Sequence, residues 1–246
     1  MAVRPVFVPT NAGNLLSITK DVDFPWAPGM AKTQKQKSIR ALHTAANEQG
    51  LNSLLEISSK SEDALGVALS AFNLRIKTKR LGKEFTVESA FQASKVFEMG
   101  GPYVDILDKS SIEAKKDMRL KESGGLVNFK FYNTIWPIVP RTAFYDWLYL
   151  SALNQNKNLA LHLLNFDGFT DIEFNPAKSI NCQARAAALF VSLVRRNMLD
   201  DVLSSKDGFL SKLASHYGVE NYSIQHTLIC CLLYTSPSPR DYAASR

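Results

Sequence analysis

The sequence predicts an α+β domain, rich in helix, with a small antiparallel sheet. Three observations carry this. Short runs near residues 3–8 and 72–79 have the composition or alternation of strands, and the chain from Val87 onward is dominated by helical periodicity. Neither an internal repeat nor a clear linker interrupts residues 53–199, so one domain is the simplest account. Hydrophobic residues make up 46% of the 246, enough for a large core, and charged residues 21%, which together exclude a largely disordered chain.

Residues 3–8 form a mostly apolar run that suits a strand, and residues 21–30, DVDFPWAPGM, are turn-rich and aromatic. Residues 33–47 read as a helix with Ile39, Leu42 and Ala46 on one face and Lys32, Lys35, Lys37 and Arg40 elsewhere, and Gly50 is placed to stop it. A strand over 54–58 leads into a polar loop over 59–63. Phe72, Leu74 and Ile76 alternate with Asn73, Arg75 and Lys77, and residues 84–86 can pair with them across the Leu81-Gly82 turn. Helices are expected over 87–99, 111–121, 142–153, 158–164, 179–198 and 206–217, with Pro137 and Pro140 separating the second and third. The domain reading is an N-terminal extension over 1–50, a domain over 51–220, and a tail over 231–246. Residues 231–241 of that tail, CLLYTSPSPRD, resemble a translated sequencing-library adapter and are set aside from the fold.

The net charge of +6 favours anionic partners without specifying one. No apolar run is long enough for a membrane span, and the first residues lack a signal-peptide core. Cys182, Cys230 and Cys231 have neither disulfide-framework nor zinc spacing, so a reducing cytoplasm and no metal are expected.

Chemistry concentrates in five segments. On a helix over 87–99, Glu88, Gln92 and Lys95 share one stripe, with Val87, Ala90 and Phe91 on the next; Glu88 then serves as acid or base and the other two as substrate anchors. Gly66, Ser70 and Ala71 permit close backbone approach, and Phe72 and Asn73 follow with a ring and a hydrogen-bonding amide. Lys60 would attack a ribosyl anomeric carbon only if burial or a nearby cation kept its amine neutral. In RTAFYDWLY, Trp147 is a stacking surface and Arg141 a phosphate contact. In residues 166–174, Asp171 can steady a developing oxocarbenium ion or polarise a nucleophile, although a solvated acidic loop is the plainer alternative. Ser179 is an N-cap for the helix that follows. Lys178 and Asn181 lie by that helix start, a place for phosphate, and Cys182 nearby is a thiol open to activation or a small buried residue.

The order of these segments resembles the NADAR (YbiA-like) superfamily. Ser70, Phe72 and Asn73 match its small-residue turn; Thr86, Glu88, Phe91, Gln92, Ala93 and Lys95 match its T-x-E-x-x-F-Q-A-x-K helix, with Ser89 where many relatives have His. The segments RPVFVPTN, FPWAPGMAKTQKQKSI, EISSKS and FTDIEFNPAKSINCQARAAALF further resemble the antitoxins that accompany DarT-type toxins, enzymes that attach ADP-ribose to guanine in DNA. The resemblance implies an N-glycosidase that removes ADP-ribose from guanine without a cofactor, with ADP-ribosylated DNA, ADP-ribose and a DarT-type toxin as partners. It implies Glu88 as acid/base, Trp147 and Asp171 in the pocket, Asn73 and Gln92 on the substrate, and Lys60 as a Schiff-base amine. Two alternatives stand beside it. One is cleavage of phosphoribosylamino-pyrimidines of riboflavin synthesis, which the basic helix over 32–40 disfavours relative to nucleic acid. The other is a non-catalytic ADP-ribose or nucleic-acid binding module.

Overall fold

The computed structural model describes residues 1–78, 82–177 and 179–218. The tail at 231–246, both adjacent cysteines, Leu81 and Lys178 lie outside the described residues.

Strands β1 (Ala2–Pro9) and β2 (Ser17–Phe24) form a hairpin paired along its whole length, Ala2 opposite Phe24 and Pro9 opposite Ser17. Residues 21–24 are therefore strand rather than turn. Val22 and Phe24 go inward while Asp21 and Asp23 face solvent, a two-residue period that the aspartates and the following prolines obscured. Helix α1 (Lys32–Glu48) packs Ile39, Leu42 and Ala46 on Val6, Val22 and Phe24. It ends where Gly50 turns to a φ of +79° and Leu51 N–H returns to the Ala46 carbonyl, a glycine-closed helix end.

Strand β3 (Leu54–Glu56) joins the first sheet through β9 (Gly168–Thr170), giving the order β2-β1-β9-β3. The β3–β9 pair is parallel, Leu55 opposite Phe169, so the largest sheet is mixed; the other two are small and antiparallel. The segment 1–50 is thus built into the sheet: β1 lies between β2 and β9. Residues 166–174, for which a solvated acidic loop stood as the plainer alternative, contain a buried strand. The reason is Gly168, whose missing side chain lets β9 slot against Leu54 and Val6.

Beyond β3 come α2 (Ala64–Ala68) and the expected hairpin, β4 (Arg75–Lys77) with β5 (Glu84–Thr86). Only the later part of 72–79 is strand, because Ala71, Phe72 and Asn73 form a turn held by Ser70, whose carbonyl accepts from both Asn73 and Leu74. Helix α3 (Val87–Ala93) is capped by Thr86 and buried throughout. It stops at Ser94, and β6 (Lys95–Phe97) pairs with β7 (Leu126–Phe131), which pairs with β8 (Thr134–Trp136). The helix expected over 87–99 is therefore half helix and half strand. The one expected over 111–121 is α4 (Ser111–Lys116) and α5 (Arg119–Glu122), broken at Asp117.

Helix α6 (Ala143–Gln155) is followed by α7 (Lys157–Leu163) and, after β9, by the alanine-rich α8 (Gln183–Arg195), which packs against α6, β1 and β9. Small side chains on α8 allow that close approach on several sides. Three short helices follow, α9 (Leu199–Leu203), α10 (Lys206–Lys212) and α11 (Ala214–Tyr217), in place of one over 206–217. Among the described residues no helix is long and apolar enough to cross a membrane, and no group of His, Cys, Asp or Glu is arranged to hold a metal ion.

Candidate active site

Glu88 sits in the first turn of α3, 7% exposed. Its backbone N–H donates to the Ala71 carbonyl at 2.9 Å, and Val87 N–H donates to Leu74, so the turn 70–74 is fastened to the head of this helix. One turn on, Gln92 Nε2 donates to Glu88 Oε1 at 2.9 Å. That leaves Gln92 Oε1 buried without a hydrogen-bond partner. A buried amide oxygen so placed is an acceptor in search of a donor.

Lys95 does not share the helical stripe, since it opens β6, yet it reaches the same place. It is 4% exposed, its ammonium lies 5.0 Å from the centre of the Phe91 ring, and burial lowers its pKa to about 8 against the upward pull of Glu88, with Lys115 pushing the same way as burial. Lys115, on α4, also lies 5.3 Å over the Phe72 ring. Lys95, Lys115 and the half-buried Phe72 therefore make a cationic and aromatic side to the site. Lys115 was missed because it reads as one more solvated helix lysine.

The second carboxylate arrives from β9. Asp171 is buried just past that strand, and its Oδ1 accepts from the backbone of Glu173 and Phe174 at 3.0 and 3.2 Å. Behind it Glu56 accepts from Thr170 Oγ1 at 2.6 Å and Ile172 N at 2.9 Å, holding both neighbours of Asp171, while burial pushes the Glu56 carboxyl upward. Because β3 and β9 are parallel, both leave the sheet at the same end, where ligands commonly sit in mixed and parallel sheets. Lys60 lies in the loop after β3 and is half-buried.

Tyr145 meets the Phe91 ring edge-on at 5.3 Å, one turn along α3 from Glu88. Its phenol is raised well above 10, by burial first and then by Glu88, Tyr149, Cys182 and Asp171. Helix α6 thus packs Tyr145 against α3. Tyr145 and Trp147 are two positions apart, roughly 200° around a helix. Trp147 packs instead in an aromatic cluster with Phe131, Trp136 and Phe144. The i, i+4 spacing of Tyr145 and Tyr149, whose rings stack at 6.4 Å, was the signal available for this face.

Gln183, also unforeseen, ties the parts together. Its Nε2 donates to the Ile57 carbonyl at 2.6 Å and its Oε1 accepts from Ala71 N–H at 2.8 Å. It thereby joins the end of β3 to the turn that holds Glu88.

Other expected residues fall elsewhere. Asn73 is exposed, with Nδ2 donating to the Val67 carbonyl. Ser70 is buried, its Oγ accepting from Phe72 N–H. Gly66 offers no room to a ligand, because the Glu56 carbonyl and Ser61 occupy the space its side chain would take. Ser179 does not cap α8; its hydroxyl donates to the Asn181 carbonyl, and Cys182 stands at the cap position. Asn181 is half-buried with an Oδ1 that has no partner among the described residues. Cys182 is not activated, since burial raises its thiol well above the usual range. Ser89 faces away from Glu88, donating to the Lys109 carbonyl. On the basic helix Lys35 is buried against Trp26 and Glu173, and Arg40 pairs with Glu62, which leaves less free positive charge than the sequence promised. A separate pocket of mixed lining lies between α7 and α8, with Leu161, Leu164, Phe190 and Val194 beside Lys157 and Asp200, and none of the expected site residues in it.

Fold and site together define a helix-rich α+β protein that gathers two carboxylates, an amide, an amine and a phenol into its interior. The family is narrower than that description: a model of the DarT1-associated NADAR antitoxins matches residues 2–223, and the chain belongs to that family. No curated protein matches the chain.

Proposed function

We propose that the protein is an N-glycosidase that removes ADP-ribose from guanine in DNA and so counteracts a DarT-type ADP-ribosyltransferase in the cytoplasm. The observation that carries the reading is Glu88, a buried carboxylate oriented by Gln92 and placed beside Lys95. Membership of an antitoxin family named for its toxin supports the partner.

Breaking the bond from the anomeric carbon to the guanine nitrogen passes through an oxocarbenium-like state. Glu88 acts as acid/base, exchanging a proton with the departing base or the incoming nucleophile. Asp171, fixed by two backbone N–H groups, steadies the positive ring. Gln92 Oε1 accepts from a substrate N–H or O–H, and Asn181 Oδ1 does the same by the start of α8. Lys95 and Lys115 offset the diphosphate charge, and Phe72 offers a ring surface. Ser70 shapes the turn. Trp147, Lys178 and Asn73 are further substrate contacts in this reading, and Lys60 is its Schiff-base amine.

The test is release of free ADP-ribose and unmodified guanine from DNA treated with a DarT-type toxin. Glu88→Gln is expected to reduce kcat by about 100-fold or more, in line with loss of a general acid or base, while still binding ADP-ribose. Unchanged turnover in a folded Glu88→Gln protein would overturn the reading.

A further inference from the structure

We infer that His43, on α1, is a positioning residue for the candidate site: its ring N–H donates to Thr170, which aligns the Thr170 hydroxyl on Glu56 and so fixes the short segment that carries Asp171. This rests on the glycosidase reading above and adds to it a residue outside the motifs that carry the family resemblance.

Asp171 begins where the sheet ends. Strands β3 and β9 run in parallel register with Glu56 opposite Thr170, and Ile57 N–H donates to the Thr170 carbonyl at 2.8 Å. Ile172 lies past the paired residues yet is buried, so its N–H needs a partner from outside the ladder. Glu56 Oε1 accepts it at 2.9 Å, and Glu56 Oε2 accepts the Thr170 hydroxyl at 2.6 Å. One buried carboxylate therefore holds the residues on both sides of Asp171. Helix α1 grips the same segment: Ile39 and Leu42 share a core cluster with Ile172, and Lys35 pairs with Glu173 at 3.9 Å.

His43 completes the chain. Its Nε2 lies 2.9 Å from Thr170 Oγ1. Thr170 has one hydroxyl proton, and the short bond to Glu56 takes it. Toward His43 the same oxygen then accepts, so the imidazole is the donor and carries its proton on Nε2. A donor at the hydroxyl oxygen polarises the hydroxyl and strengthens its bond to the carboxylate. Burial raises the Glu56 carboxyl, and the bonds from Thr170, Ser58 and Ile172 pull it back toward the ionised form. A protonated Glu56 would reverse the chain, with Thr170 donating to a bare Nε2, so the ring tautomer tells the two arrangements apart. In the proposed reaction Asp171 steadies charge that grows on the sugar ring. Its placement therefore matters most in the transition state, and a shifted Asp171 lowers kcat more than it raises KM.

Nitrogen-15 spectra of the wild-type protein at pH 7 should show the His43 ring protonated at Nε2 and bare at Nδ1; the opposite tautomer overturns the inference. His43→Leu removes the donor. Below the onset of melting its kcat should fall about 10-fold, with KM changed less than about threefold. His43→Gln, whose amide brings an N–H to the same reach, should recover most of that loss. Unchanged kcat in His43→Leu overturns the inference, as does an equal loss in His43→Gln. Should the leucine variant not fold, His43→Phe, closer to imidazole in shape, is read by the same rates. Should the wild-type protein release no ADP-ribose from modified DNA, the glycosidase reading fails by itself. Asp171 can then act only through binding, and titration with ADP-ribose decides His43: affinity about 5-fold weaker or more in His43→Leu, recovered in His43→Gln, supports the role. Equal binding, or none by wild type, overturns it.

Discussion

Replacing Gln183 with leucine tests whether one side chain assembles the site. Gln183 is buried and makes two short hydrogen bonds, to the Ile57 carbonyl at 2.6 Å and from Ala71 N–H at 2.8 Å. Ile57 and Ala71 are themselves buried, so water does not readily replace the lost partner. Each orphaned buried backbone group costs about 1–3 kcal/mol, and the added apolar surface of leucine offsets roughly 1 kcal/mol, leaving a net loss of about 1–5 kcal/mol. For a domain of this size that lowers the thermal midpoint by roughly 2–20 °C. The consequence extends to chemistry, because the Ala71 carbonyl receives the Glu88 N–H at 2.9 Å. A turn freed from Gln183 lets the head of α3 drift, and turnover should fall at temperatures where the variant is still fully folded. Calorimetry gives the midpoint, and release of ADP-ribose from modified DNA below the onset of melting gives the kinetics. A midpoint lowered by less than about 2 °C, with turnover unchanged, would refute the clamp.

Two further predictions concern pH. Lys95 has a folded-state pKa near 8 against 10.5 in the unfolded chain, so between these values the unfolded state holds more protons and stability rises with pH. Below about pH 8 the buried charge opposes folding by up to about 3 kcal/mol, and Lys95→Met should raise the thermal midpoint at pH 7, the gain shrinking from pH 8 to 10.5. The same variant should lose the decline in kcat/KM that the wild type shows above about pH 8, if the ammonium anchors the diphosphate; a decline retained in the variant would contradict that role. His43 and His216 are each lowered to about 4 by burial, so the unfolded chain takes up protons first as pH falls from 6.5. Stability present at pH 7 should be lost between pH 6.5 and 4, by at most about 3 kcal/mol per histidine. Denaturant melts of a His43→Gln, His216→Gln double variant should show a flatter profile over that window, and an unflattened one would disprove the account.

What the sequence determined by itself was local. Residues 33–47 alternate apolar and polar positions at the helical period, and the result is α1. The β4–β5 hairpin and helices α6 and α7 follow from patterns within a few residues, and Glu88 and Gln92, four apart, meet because α3 is a helix there. The order of motifs was legible for the same reason, and the family match agrees with it. Tertiary structure alone decided the rest. Lys95 reaches Glu88 from a strand whose partner, β7, lies some thirty residues on, and no periodicity within the segment encodes that pairing. Asp171 is buried because Gly168 lets β9 enter between β1 and β3, contacts more than a hundred residues away. Gln183 bonds Ala71 and Ile57 across separations of 112 and 126 residues. Tyr145 packs on Phe91 and Trp147 on Trp136, a division the sequence left open because a buried helix is apolar on every side; only the packing of α6 against its neighbours decides which face meets which.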